Sequence, residues 1–204
     1  MNETLFDQIN AFARATPWLH AVITFYAGYG VVVFALLLAA GWWSARRSRQ
    51  PQRMAATVCA GAATLLAVGI NQPIVDAVHE ARPYTDHPGI LVLATRSADF
   101  SFPSDHAVMA GAVAVGLVFV SHRVATLAAV AAVAMAFARV YIAAHYPADV
   151  AVGLALGAAV ALVVQLVARR PIASAVAALV ANDSVVRPLL TSSPSRQTEK
   201  VDSR

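Results

Sequence analysis

Positions 149–168 read DVAVGLALGAAVALVVQLVA, twenty residues with one charge, at the first position, and one amide, Gln165. Crossing the hydrocarbon core of a bilayer takes about 20 apolar residues of helix, so this block is a membrane span. Arg169 and Arg170 follow it directly, as at a span that ends in a charged interface. Four further blocks of similar character lie upstream, at 19–43, 54–75, 104–120 and 124–142. The 204 residues are 59% hydrophobic and only 13% charged, too apolar a balance for a soluble domain of this size to hide. The expected fold is therefore an all-α integral membrane domain with five transmembrane helices over residues 18–170.

The basic residues are grouped. Arg46, Arg47, Arg49 and Arg53 separate the first two blocks, Arg123 lies between the third and fourth, and Arg169 and Arg170 follow the fifth. All three groups fall on one side of the predicted topology, which the positive-inside rule makes cytoplasmic. The loops 76–103 and 143–148 then face outward. The net charge of +4 thus reports topology, and no basic stripe interleaved with aromatics suggests nucleic acid. The single cysteine, Cys59, has no intrachain partner and sits inside an apolar block, where packing explains it.

Residues 1–17 place Leu5, Phe6, Ile9, Phe12 and Ala13 at helical spacing and stop at Pro17. This predicts an amphipathic helix on the membrane surface. Glu3 and Asp7 precede its apolar run, unlike the basic start of a cleaved signal, so it is expected to be retained. Residues 171–190 hold an apolar stretch about half a span long and are expected to form a short interfacial or cytoplasmic helix. The Ser-rich, charged segment 191–204 is expected to be disordered.

The outward loops hold most of the chemistry. Three clusters stand out: Arg82-Pro83; Phe102-Pro103-Ser104-Asp105-His106; and Arg139 with His145 and Asp149. Asp149, four residues after His145, can reach back to the imidazole, fix its tautomer and leave the other nitrogen to attack phosphorus. Ser104 opens a helix whose unpaired N–H groups suit a phosphate oxygen, and His106 sits in its first turn. Arg82 and Arg139 present planar forks to the equatorial oxygens of a phosphoryl transition state. His106 can protonate the leaving group.

Each residue also has an ordinary reading. Arg139 alone is equally well a snorkelling anchor, Ser104 an N-cap, and Asp105 a complement to the helix dipole. His145 and Asp149 could form a structural hydrogen bond or part of a metal site, although two arginines beside them disfavour a bound cation. The conjunction of three clusters on one membrane face favours phosphoryl transfer without metal or other cofactor.

These clusters resemble the signatures of the type-two phosphatidic-acid phosphatase superfamily, which is related to the vanadium haloperoxidases. Ser101-Phe102-Pro103-Ser104-Asp105-His106 is similar to its central signature, Arg139-x5-His145-x3-Asp149 to its third, and Arg82-Pro83 to the end of its first. The resemblance implies that Arg82, Ser104 and Arg139 bind phosphate, that His106 is the acid, that His145 becomes phosphorylated and that Asp149 orients it. Asp105 is grouped with the substrate-binding residues.

Within the superfamily the chain most resembles the bacitracin-resistance type of undecaprenyl pyrophosphate phosphatase. Phe6, Ile9-Asn10, Tyr29, the Phe-Pro-Ser-Asp-His form and His145-Tyr146-Pro147-x-Asp149 carry that likeness. It implies hydrolysis of a polyprenyl pyrophosphate at the outer face of the bacterial inner membrane, regenerating the carrier for cell-wall synthesis. Phosphatidic acid or phosphatidylglycerol phosphate are the alternative substrates, and a non-enzymatic lipid transporter is the alternative of another class. One departure stands out: the lysine that opens the first signature is Val75 here. Arg96 and His87 are candidate substitutes, and Glu80 a candidate partner for Arg82.

Overall fold

The computed structural model describes residues 2–182 and Thr191, and among these it contains helices and no strand. In chain order they are α1 (Asn2–Ala15), a single 3-10 turn (Pro17–Leu19), α2 (His20–Tyr29), α3 (Val31–Ser48), α4 (Pro51–Val78), α5 (Pro83–Asp86), α6 (Asp105–Val118), α7 (His122–Tyr141) and α8 (Pro147–Asn182). The end of the expected helix at 171–190 and the expected disordered tail lie outside the described residues. Residues 171–182 simply continue α8 through Pro171.

Helix α6 is the axis of the bundle, packed against α4, α7 and α8. Lipid tails are as apolar as leucine, so burying apolar surface does not drive helices together in a membrane, and close backbone approach must do so instead. The sequence supplies small residues for this. Gly157 faces the carbonyl of Val108, Gly111 faces the backbone of Leu154, and Gly116 meets Ala60. On α4 the buried face is Ala55, Ala56, Cys59, Ala60, Ala63 and Ala67. Gln165, the one amide of the apolar block, donates to the carbonyls of Ala56 at 2.8 Å and Gly116 at 3.0 Å and so ties α8 to α4 and α6.

Two of the expected spans differ from expectation. The block at 19–43 is not one helix: the Pro17–Tyr29 and Val31–Ser48 segments meet at 57°. The bend falls at Gly30, where any Cβ would strike the Met135 side chain and the Tyr26 carbonyl, and the Tyr26 hydroxyl pins α2 to the Ala131 carbonyl at 2.7 Å. The block at 104–120 yields a helix of 14 residues, about 21 Å long at 1.5 Å per residue and short of the roughly 30 Å core. Neighbouring helices cover α6 on most faces, so its length is matched to protein rather than to lipid. By length and composition three helices, α4, α7 and α8, can cross a membrane, and a fourth if α2 and α3 form one bent span.

The basic groups gather at one end of the bundle. Arg46 and Arg47 lie over Trp42 and Trp43, Arg169 lies over Phe119, and Arg53 and Arg123 line one hollow. The opposite end carries α1, the 79–103 loop and the turn before α8. Helix α1 buries Phe6, Asn10 and Ala13, while Leu5 and Phe12 of its expected apolar face remain about half exposed. The Asn10 amide exchanges two hydrogen bonds with the Leu91 backbone, at 2.7 and 3.0 Å, and Arg14 donates to the Gly89 carbonyl. Phe6 packs on Tyr146, and the side-chain Oδ1 of Asn2 accepts from the Ala148 N–H at 2.9 Å. A helix expected only to rest on a surface thus also clamps the loops beneath it.

Candidate active site

The turn between α7 and α8 sets the geometry. Ala143 takes the left-handed region at φ 60°, and the N–H groups of Ala144 and His145 then fold back to the Arg139 carbonyl at 3.1 and 3.3 Å. That reversal returns His145 to the end of the helix carrying Arg139. His145 Nδ1 lies 2.7 Å from the carbonyl oxygen of Ser101. A carbonyl can only accept, so the proton sits on Nδ1 and Nε2 carries the lone pair. Nε2 faces two guanidiniums, Arg139 Nη2 at 3.2 Å and Arg82 Nη1 at 3.3 Å. Burial first, then Arg139 and Arg82, push the His145 pKa well below its ordinary value, so the imidazole is neutral at pH 7.

Asp149 reaches His145, but at 3.5 Å, and it is not the nearest partner. Its Oδ2 accepts from Ser101 Oγ at 2.5 Å and from the Tyr146 N–H at 2.8 Å. The single Nδ1 proton goes to the closer Ser101 carbonyl. Ser101 therefore touches both members of the pair, through its carbonyl and its hydroxyl. Quoted in the sequence only as the start of a signature, it gains a role once the loop folds over α8. Its own N–H is held by the Glu80 carbonyl at 2.7 Å.

Arg82 is fixed by the Asp99 carbonyl at 2.9 Å and the Ala144 carbonyl at 3.0 Å, not by Glu80, whose carboxyl is pushed up chiefly by burial. Arg139 donates weakly to the Ala27 carbonyl at 3.4 Å, and its Nε is buried without a partner among the described residues. The ordinary N-cap reading of Ser104 does not hold: it makes no side-chain cap bond, and its Oγ is buried and unpartnered. Asp105 Oδ1 accepts from Asn71 at 2.8 Å and Gln72 at 2.9 Å, which ties α6 to α4.

Arg82, Asp105, His106, Arg139 and His145 line one cavity of about 640 Å3. Ser104 and Asp149 lie behind its wall. Val75 lines it too, so a valine stands where the superfamily signature has a lysine. Neither candidate substitute fills the place: Arg96 lies over the Tyr84 ring at 5.6 Å, and His87 packs between Phe6 and Tyr146. Gln72, one turn earlier on α4, is the neutral donor at this wall. Among the described residues no three His, Cys, Asp or Glu side chains come together as a metal-holding group.

A neutral histidine between two guanidiniums, carried on a bundle of apolar helices, describes a phosphoryl-transfer enzyme of the membrane. Residues 56–172 match the PAP2 superfamily, and the chain belongs to that superfamily. Among curated relatives it is 27% identical over 124 residues to undecaprenyl-diphosphatase BcrC of Bacillus subtilis (strain 168). That match covers 61% of this chain and 62% of the relative's length. Among solved structures it is similar to Aquifex aeolicus LpxE, with 26% identity, a TM-score of 0.52 and coverage of 80% of this chain and 93% of that one. It also shares the fold of a transmembrane PAP2-type phosphatidylglycerolphosphate phosphatase from Bacillus subtilis, at 23% identity, a TM-score of 0.50 and coverage of 81% and 86%.

Proposed function

We propose that the protein hydrolyses undecaprenyl pyrophosphate to undecaprenyl phosphate and inorganic phosphate through a phosphohistidine. The observation that carries this reading is His145 itself, with Nδ1–H on a backbone carbonyl and Nε2 between two arginines. In the resting site the guanidiniums donate to Nε2. Phosphate oxygens of the incoming lipid are stronger acceptors; they take over those donors and leave the lone pair free to attack.

The P–N bond forms as the bond from phosphorus to the bridging oxygen breaks, and His106, which takes up a proton as the anionic substrate offsets the neighbouring guanidiniums, gives that proton to the departing lipid monophosphate. Water, losing a proton to His106, then displaces His145 and releases phosphate. Arg82 and Arg139 carry the equatorial charge in both steps. Ser104 becomes a further donor where the wall between Pro103 and Asp105 yields to a phosphate oxygen, because a buried hydroxyl without a partner costs about 1–3 kcal/mol. Asp105 holds α6 to α4 through its amide partners rather than meeting an anion directly. In this reading the site faces the extracytoplasmic side of a bacterial inner membrane, with α1 lying in the interface above it. The grouping of Arg53, Arg123 and Arg169 at the opposite end supports that orientation. The lipid choice is supported by the likeness to BcrC.

The test is phosphate release by purified protein in chelator. Undecaprenyl pyrophosphate is compared with phosphatidic acid and phosphatidylglycerol phosphate. The expected result is activity without added metal, inhibition by vanadate, and at least roughly tenfold higher kcat/KM for the polyprenyl substrate. Preference for a diacyl substrate overturns the lipid assignment, and loss of activity in chelator overturns the mechanism.

Ser101 supplies a second test. Ser101→Ala keeps the carbonyl on Nδ1 but leaves Asp149 Oδ2 only the Tyr146 N–H. The expected loss is roughly tenfold in kcat with KM little changed. Combined with Asp149→Asn it should add little further, because both changes break one link. Fully multiplicative effects would show that Ser101 acts independently of Asp149.

A further inference from the structure

A second recess lies at the basic end of the bundle, about 440 Å3, walled by Ser44 of α3, Arg53 of α4, Val118 to Ser121 at the end of α6, and His122 and Arg123 of α7. We propose that it binds the phosphate of an anionic lipid headgroup from the leaflet at that end. The argument begins with charge. Arg53 and Arg123 come from different helices and face one space. A third guanidinium, that of Arg169 on α8, lies 5.0 Å over the ring of Phe119 in the recess wall.

Every carboxylate among the described residues, on Glu3, Asp7, Asp76, Glu80, Asp86, Asp99, Asp105 and Asp149, belongs to the other end. Guanidiniums gathered without a counter-charge repel one another, and an anion between them removes that cost. A snorkelling arginine needs only water and headgroups around it; two that wall a shared recess from separate helices make a place for one group.

The other lining residues suit a phosphate. Ser121 precedes α7 with an extended backbone and makes no side-chain cap bond, so its hydroxyl and the first N–H groups of α7 are open donors. Ser44 adds a hydroxyl. The flank is apolar: Val118 is 44% exposed on the face that continues toward the bilayer, where a headgroup's glycerol and first methylenes would lie. That flank favours a lipid phosphate over the free ion, although the donor set would accept either. The site is separate from the catalytic cavity, which shares no lining residue with it.

The full chain in a neutral detergent, observed by native mass spectrometry, tests this without the surface potential of a membrane. Dioleoylphosphatidylglycerol should give one favoured adduct per chain and dioleoylphosphatidylcholine none. Arg53→Gln with Arg123→Gln should weaken that adduct by roughly tenfold or more. Arg47→Gln with Arg170→Gln removes the same charge outside the recess and should change it by less than about threefold. Equal weakening in both pairs means general attraction and overturns the proposal.

Inorganic phosphate that fails to compete identifies the lipid as the ligand; phosphate that displaces the adduct identifies the ion itself. Arg82→Gln with Arg139→Gln should leave the adduct in place. If that pair removes it instead, the lipid sits in the catalytic cavity and this site falls, while the proposed phosphatase reading stands. Melting curves of each variant confirm folding, and substitutions at exposed arginines should shift them little.

Discussion

His145→Ala is expected to abolish phosphate release, lowering kcat by at least roughly 10^4-fold, because it removes the proposed nucleophile rather than a helper. Ser101 Oγ cannot stand in for it, being spent on Asp149, and the proposed mechanism already uses His106 as the acid. The change also deletes the bond to the Ser101 carbonyl and the two guanidinium bonds to Nε2, at a stability cost of about 1–3 kcal/mol, which the bundle should survive because both arginines line the cavity. Binding of the lipid should persist, since Arg82 keeps its two backbone partners and its guanidinium still lines the cavity. Single-turnover phosphate release beside a lipid-binding measurement separates the two effects. Residual release within tenfold of wild type would falsify the nucleophile assignment. Lost binding with intact folding would instead point to the transporter reading, in which the histidine serves the headgroup.

The largest expected effect on folding comes from a single methyl group. Gly157→Ala places a Cβ on the Val108 carbonyl and the Ala112 N–H, both backbone atoms of α6, which cannot rotate away as a side chain can. The helices must separate, losing the close contact that holds them in lipid, and the expected cost is about 3 kcal/mol. Gly69→Ala on α4 is the control, because a Cβ there meets nothing within 4 Å and alanine favours helix by about 1 kcal/mol. Thermal unfolding of the two variants in detergent should move in opposite directions. Activity of Gly157→Ala should fall as well, since one turn away Gly153 packs under the Ser104 carbonyl, and a wider gap shifts the start of α6 with His106. If both variants melt together, close α6–α8 packing is not what holds the site.

Much of the site was legible in the chain because its chemistry is local. His145 and Asp149 are four residues apart, Ser104 and His106 two, and both pairs sit where an apolar block begins. Arg53 and Arg123, far apart in sequence, share one recess, and Arg169 lies over a ring in its wall. Less was legible wherever the outcome depended on a partner far along the chain. The bend at Gly30 answers to Met135, and the shortness of α6 answers to the helices around it. Helix α1 becomes a clamp because Leu91 and Gly89 pass within reach of Asn10 and Arg14.

Arg96 and His87 looked available to replace the missing lysine while they were only loop charges; aromatic neighbours had already engaged both. The residues themselves therefore determined the class of solvent, the helical character of the apolar blocks and which groups are candidates for reaction, because hydropathy over twenty positions and reactivity at one are local properties. The tertiary structure decided which oxygen takes the Nδ1 proton of His145. Asp149 was within sequence reach, but Ser101, forty-four positions away, arrives closer once the loop folds over α8, and a single proton goes to the nearer acceptor.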